Sequence, residues 1–254
     1  MTIITCQDVA LQFKGEQTPV LDCINLQIQK GEFVSIIGKS GSGKTTLLQM
    51  MGGLLNPTKG EIVVLGHKIN EPLDEITYVF QKPVLLEWRT VLENVLMPIE
   101  LKKRPSKADR TKAREVLALV GLADHITKFP HELSGGMMSR VTLARAFMTE
   151  PEILLMDEPF SALDTMTKEQ LQLELMKLTE QFSSTTIFIT HDITEAAYLS
   201  DRVVLLGEQP AKVVKEFQMP FSKPRLKQLK FDPSFIKSVK ELYDTIEGLG
   251  GSSS

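Results

Sequence analysis

The stretch Gly38-Lys39-Ser40-Gly41-Ser42-Gly43-Lys44-Thr45 constrains this chain more than any other. Before it runs Glu32-Phe33-Val34-Ser35-Ile36-Ile37, apolar and short enough to be a buried strand. After it comes Thr46-Leu47-Leu48-Gln49-Met50-Met51, a good helix former. Strand, glycine loop and helix in that order are the setting in which G-x-x-x-x-G-K-[ST] cradles phosphate. The glycines let backbone N–H groups converge on phosphate oxygens, and the helix N-terminus adds the positive end of its dipole. A flexible Gly/Ser turn would not need Lys44 and Thr45 at that spacing. ATP or GTP together with Mg2+ is the expected ligand.

At 254 residues the chain is long enough for a full α/β core with an inserted subdomain. Its hydrophobic content of 42% and charged content of 24% are those of an ordinary globular protein. A net charge of −3 gives no reason to expect nucleic acid as a partner. Cys6 and Cys23 have no metal-ligand spacing, and no basic segment followed by an apolar core opens the chain. Two reduced, buried thiols are therefore expected. The apolar runs Phe33–Ile37 and Val203–Leu206 fall far short of the roughly 20 residues that span a bilayer. Membrane association must then come through another chain.

Apolar and polar residues alternate through the first thirty positions (Ile3-Ile4, Val9, Leu11, Phe13, Val20-Leu21, Ile24, Leu26, Ile28), which suits a half-exposed antiparallel sheet. Glu61–Gly66 is expected to add a strand to it. Ile153–Met156, Thr186–Thr190 and Val203–Leu206 are uniformly apolar and read as central parallel strands. Between Trp88 and Glu150 the period becomes helical: Val91-Leu92, Val95-Leu96 and Ile99, then Ala113, Val116-Leu117 and Val120 before Gly121. Ser134 reads as an N-cap or near-cap of a helix running to about Met148. Phe235-Ile236, Val239, Leu242-Tyr243 and Ile246 are expected on one helical face, packed on the chain's own core in preference to a membrane or partner surface. The fold expected is α/β: a P-loop core with an antiparallel β-subdomain and an inserted helical subdomain. Residues 1–247 would form one domain, with the helical subdomain at about 88–150 and a C-terminal extension at about 208–247. A flexible Gly/Ser tail is expected over 248–254.

Further candidates for chemistry follow the phosphate loop. Ile153-Leu154-Leu155-Met156-Asp157-Glu158 is a strand ending in two carboxylates. Alone, Asp-Glu after a strand is a surface turn. Downstream of a phosphate loop, Asp157 can hold Mg2+ beside the Thr45 hydroxyl, and Glu158 can accept a proton from attacking water. Leu133-Ser134-Gly135-Gly136-Met137 opens a helix, so it is either a capping turn or a second phosphate site. Thr190-His191-Asp192 follows an apolar strand, where His191 is either structural or within reach of a γ-phosphate.

Taken in order, these motifs resemble the nucleotide-binding subunits of ATP-binding cassette (ABC) transporters over nearly the whole chain. Gly38–Thr45 resembles the Walker A loop, and Gln81 in Val79-Phe80-Gln81 the Q-loop glutamine. Leu133–Met137 resembles the family signature, with Met137 in place of its final glutamine. Ile153–Asp157 and Glu158 resemble Walker B and the catalytic glutamate, Ser161-Ala162-Leu163-Asp164 the D-loop, and His191 the switch histidine. The segments Trp88–Val95 and Asp157–Asp164 are similar to importers of nitrate, sulfonates, taurine and related solutes, although Met138-Ser139 departs from the Arg-Gln common after the signature.

The resemblance implies an ATPase that dimerises on binding ATP, with Gly38, Ser40, Gly41, Ser42, Gly43, Lys44, Thr45 and Thr46 around the phosphates. It implies Thr45, Gln81 and Asp157 at Mg2+, and Lys44, Glu158 and His191 in hydrolysis. Ser134, Gly135 and Gly136 would contact the nucleotide held by the partner copy, and Asp164 of the D-loop is likewise implied as a nucleotide-binding residue. Phe13 would stack on adenine, the alternative being core packing. Membrane permease subunits, contacted through residues 81–93, and indirectly a solute-binding protein are the implied partners. The implied location is the cytoplasmic face of a bacterial inner membrane. An export or lipid-transport ATPase, and a non-transport ABC ATPase, are the alternatives.

Overall fold

A computed structural model describes the backbone of residues 1–250 and the side chains of residues 1–248. It divides into two compact units, Met1–Leu73 with the segment from Thr185 onward, and Asp74–Ser184. In chain order the first unit supplies β1 (Thr2–Leu11), β2 (Leu21–Gln29), β3 (Phe33–Ile37), α1 (Lys44–Met51), β4 (Lys59–Val64) and β5 (His67–Lys68). The second contains β6 (Ile76–Val79), α2 (Val91–Glu100), α3 (Lys107–Leu119), α4 (Gly135–Phe147), β7 (Ile153–Asp157) and α5 (Thr165–Gln181). The first resumes with β8 (Thr185–Ile189), α6 (Ile193–Leu199), β9 (Arg202–Leu206), β10 (Val213–Gln218) and α7 (Pro233–Gly250).

In the first unit, β2, β1, β4 and β5 form the expected antiparallel sheet in that order. Ile24, Leu26 and Ile28 alternate with exposed residues along β2, so one face is buried. A bulge between β1 and β2 puts Asp8 and Cys23 at φ 48° and 52°. That bulge corrects the expectation of two buried thiols. Cys6 is buried, and burial pushes its thiol up to about 12, whereas Cys23 is turned out to solvent beside Asp8. A second set of strands runs in the order β10, β9, β3, β8. β3 is parallel to both β8 and β9, while β10 is antiparallel to β9. β3, β8 and β9 are buried along their whole length, which is why they read as continuous apolar runs.

Arg202 opens β9 and joins three segments of the unit. Its Nε donates to Glu32 at 2.7 Å, its Nη1 to Glu216 at 2.6 Å, and its Nη2 to the Gln27 carbonyl at 2.6 Å. In α7 the apolar stripe is narrower than expected. Phe235 and Leu242 are buried, with Phe235 packed edge-on against Tyr198, but Ile236 and Tyr243 are exposed. Each of those two lies one residue past a buried one, about 100° around the helix. α7 runs to Gly250, and residues 251–254 of the expected tail lie outside the described residues.

In the second unit each main helix begins at a side-chain cap. Thr90 with Glu93 opens α2, Ser106 with Asp109 opens α3, Ser134 opens α4 and Asp164 opens α5. α3 ends at Leu119 with Val120 as its C-cap, and Gly121 takes φ 70°, as its place in the pattern leads one to expect. β6 pairs in parallel with β7, with Val79 opposite Met156. Among the described residues no helix is long and apolar enough to cross a membrane.

Candidate functional site

The first unit carries the phosphate loop. β3 ends at Ile37 and α1 starts at Lys44, with Gly43 as its N-cap at φ 84°, a left-handed conformation that disfavours any residue with a Cβ. Lys44 is buried, and its Nζ donates to the Gly38 and Lys39 carbonyls at 2.9 and 3.0 Å. Ser42 Oγ is buried with no hydrogen-bond partner among the described residues. A buried hydroxyl left unpaired is costly. Beside the Lys44 ammonium, and at a helix N-terminus whose dipole presents its positive end, it fits an anionic ligand.

His191 emerges at the same end of the parallel strands. Ile36 of β3 lies opposite Ile189 of β8, so Gly38 and His191 leave neighbouring strands at their C-terminal ends, where α/β folds place ligands. The turn holding His191 is tied down locally. Thr190 Oγ1 donates to Glu195, and the N–H groups of Asp192 and Glu195 donate to Thr190 Oγ1 and Asp192 Oδ1, each at 3.0 Å. Phe13 lies just past β1 and is 45% exposed, so it is not a core residue.

The second unit gathers the other candidates at the ends of β6 and β7. Asp157 closes β7, and Glu158 follows at φ 44°, a strained backbone for a residue with a side chain. Gln81 stands two residues beyond β6. Its Nε2 donates to Glu158 Oε2 at 3.4 Å and to Ser161 Oγ at 3.5 Å, both long. The Ser161 hydroxyl in turn donates to the Glu158 carbonyl at 3.0 Å. Burial, and after it the charge of Asp157, raises the Tyr78 phenol above its ordinary range, by proximity more than by a well-formed hydrogen bond. The place of Tyr78 beside Asp157, and the bracing of Glu158 by the D-loop residue Ser161, were not legible in sequence. A tyrosine three residues before the glutamine that follows its strand, and a serine three after the glutamate, are marked only by strand pairing and turn geometry.

Ser134 and Asp164 come together through their helices. Ser134 Oγ accepts from Met137 N–H at 3.3 Å, and Asp164 Oδ1 from Thr167 N–H at 3.1 Å. Hydrogen bonds from Thr167 hold the Asp164 carboxyl below its ordinary range, so it remains ionised. A Cβ on Gly136 would lie 2.4 Å from Thr167 Cγ2, so the first turn of α4 can approach that of α5 only because this residue is glycine. The signature turn and the D-loop therefore form one surface of this unit.

The family model for the ABC transporter matches residues 21–161, more than half of the chain. The chain belongs to the ABC transporter family. Among its relatives, the bicarbonate transport ATP-binding protein CmpD of Synechocystis is 42% identical over 93% of this chain and 85% of its own length. The taurine import ATP-binding protein TauB of Roseobacter denitrificans is 37% identical over 97% of this chain and 94% of its own. A solved dimeric ABC cassette, MJ0796 in a post-hydrolysis state with ADP and Pi, aligns with TM-score 0.75 and 34% identity over 87% of this chain and all of that one. The fold is thus that of an ABC ATPase, and the chain is an ATP-binding, ATP-hydrolysing cassette of this family.

Proposed function

We propose that this ABC cassette powers uptake of a small anionic or zwitterionic solute of the nitrate, sulfonate or taurine kind. It would work as a homodimer under two integral permease subunits, at the cytoplasmic face of the membrane, with a solute-binding protein delivering cargo to the permease. The observation that carries the import reading is the pair of relatives above, 37–42% identical over more than nine-tenths of the chain and named for taurine import and bicarbonate transport.

In this reading the N–H groups of residues 38–46 hold the phosphates, Lys44 binds the β/γ oxygens and Thr46 the α-phosphate. Phe13, already exposed, stacks on adenine. Thr45, Gln81 and Asp157 are the residues that would hold Mg2+. They offer only hard oxygen ligands, and no cluster of three or more His, Cys, Asp or Glu suited to a metal occurs among the described residues. That fits an ion bound through one carboxylate, substrate phosphates and water. When bound, it would neutralise charge on the phosphate oxygens. Glu158 takes the proton of the attacking water, with its backbone braced by Ser161. His191 contacts the γ-phosphate and stabilises charge developing there. Ser134, Gly135, Gly136 and Asp164 serve the nucleotide bound by the partner copy.

The reading is tested by purifying a tagged chain with its membrane subunits and reconstituting the complex in ATP-loaded vesicles. Accumulation of labelled taurine, sulfonate, nitrate or bicarbonate inside is expected. Extrusion of solute, or recovery of no membrane chain, would count against an importer.

Trp88 is the residue through which coupling can be separated from folding. It is 74% exposed, on a loop that Asn94 pins through Leu86 N–H and the carbonyls of Leu86, Arg89 and Thr90. Trp88→Ala should change stability by less than about 0.5 kcal/mol and leave ATP affinity intact. A tryptophan that is a hot spot of its interface contributes about 2 kcal/mol or more, so permease binding should weaken roughly 30-fold. Thermal unfolding and co-purification measure the two effects. Unfolding of the isolated variant would instead place Trp88 in the core.

A further inference from the structure

The turn between β9 and β10 sits on the phosphate loop. Leu206, at the end of β9, directs its carbonyl oxygen to within 2.8 Å of where a Cβ on Gly38 would stand. Gln209 Nε2 donates to the Gly41 carbonyl at 2.6 Å, and the Glu208 carboxylate forms an ion pair with Lys39 Nζ. The other side of the turn is fastened to the start of β2. The N–H of Asp22 donates to the Ala211 carbonyl and that of Ala211 to the Val20 carbonyl, each at 3.0 Å, and Lys212 pairs with Asp22 at 3.1 Å. The turn that carries Glu208 is therefore fastened from both sides, within one compact unit.

Lys39 and Lys44 are the only charged residues in Gly38–Thr45. Lys44 is buried and turned to loop carbonyls, whereas Lys39 is half exposed and paired with the Glu208 carboxylate. So exposed a pair adds little to folding. Its electrostatic effect falls on whatever anion the loop binds, because a carboxylate here lowers the positive potential that attracts it.

We propose that Glu208 sets the nucleotide affinity of the phosphate loop by neutralising Lys39. The proposal rests on residues 38–46 being the nucleotide site. Removing the Glu208 charge leaves Lys39 uncompensated beside a ligand that carries about four negative charges. The gain should be larger for ATP than for ADP and should shrink as salt screens it.

The test is ATP and ADP binding by calorimetry at low and high salt. It compares full-length wild type with Glu208→Gln, Lys39→Met, the double variant and Lys44→Ala. Glu208→Gln is expected to bind ATP roughly three- to tenfold more tightly than wild type at low salt. The double variant should show no gain over Lys39→Met. Equal affinities for wild type and Glu208→Gln, or a gain that persists without Lys39, would overturn the proposal alone. Equal affinities for wild type and Lys44→Ala would overturn the site reading and the proposal with it.

Discussion

Glu158→Gln is expected to lower ATP turnover by about 10²–10⁴ while ATP binding persists. Glutamine keeps the shape of the side chain and can still meet Gln81, but it cannot take a proton from water. Glu158 is not a passive surface residue: it sits at φ 44° directly after the buried strand β7, and its carbonyl accepts from the Ser161 hydroxyl. Strain of that kind persists only where neighbouring structure fixes it. The binding groups, Lys44 and the N–H groups of the loop, belong to the other compact unit and are untouched. Phosphate release should therefore collapse while the variant accumulates as an ATP-bound dimer on size exclusion. Turnover near that of wild type would remove Glu158 from the reaction.

Arg202→Met is expected to destabilise the chain by about 3–5 kcal/mol, the usual cost of breaking a buried ion pair from one side. The guanidinium is nearly buried and serves Glu32, Glu216 and the Gln27 carbonyl together. Methionine fills much of its volume but leaves Glu32, whose side chain is only 14% exposed, without its cation. Because Arg202 opens the strand beside β3, the loss falls on the sheet that presents the phosphate loop. The midpoint of urea unfolding measures it. A loss below about 1 kcal/mol would mean the pair is as weak as an exposed one.

The phosphate loop was legible because its chemistry is local: spacing, glycines and the flanking strand and helix are adjacent in the chain. The same holds for the Ser134 cap and for the helical stretches of α2 and α3, where each apolar stripe faces one core. β6 and β10 gave no comparable signal. β6 has four residues with one fully buried, and β10 is an edge strand with only Phe217 buried, so neither shows an apolar run. The exposure of Cys23 follows from a bulge, and that of Ile236 and Tyr243 from the narrow contact of α7, which depends on distant packing. The pattern change at about residues 88–150 marks where helices lie. The compact unit Asp74–Ser184 also includes β6, β7 and α5, which tertiary contacts add. The positive φ of Glu158 and the four hydrogen bonds of Asn94 are likewise products of the folded chain, with no mark in residue type.

Whether two copies of the chain share each ATP is tested most directly by crosslinking between differently tagged chains. Cys23 is replaced by serine, while Cys6 can stay, since burial keeps its thiol protonated with a pKa of about 12. One chain carries Ser40→Cys in the phosphate loop and the other Ser134→Cys at the start of α4, both exposed positions, in a Glu158→Gln background. A short thiol crosslinker should join the two different chains, and more strongly when ATP is present. If both variants fold and bind ATP, yet no species containing both tags forms, the shared site is contradicted.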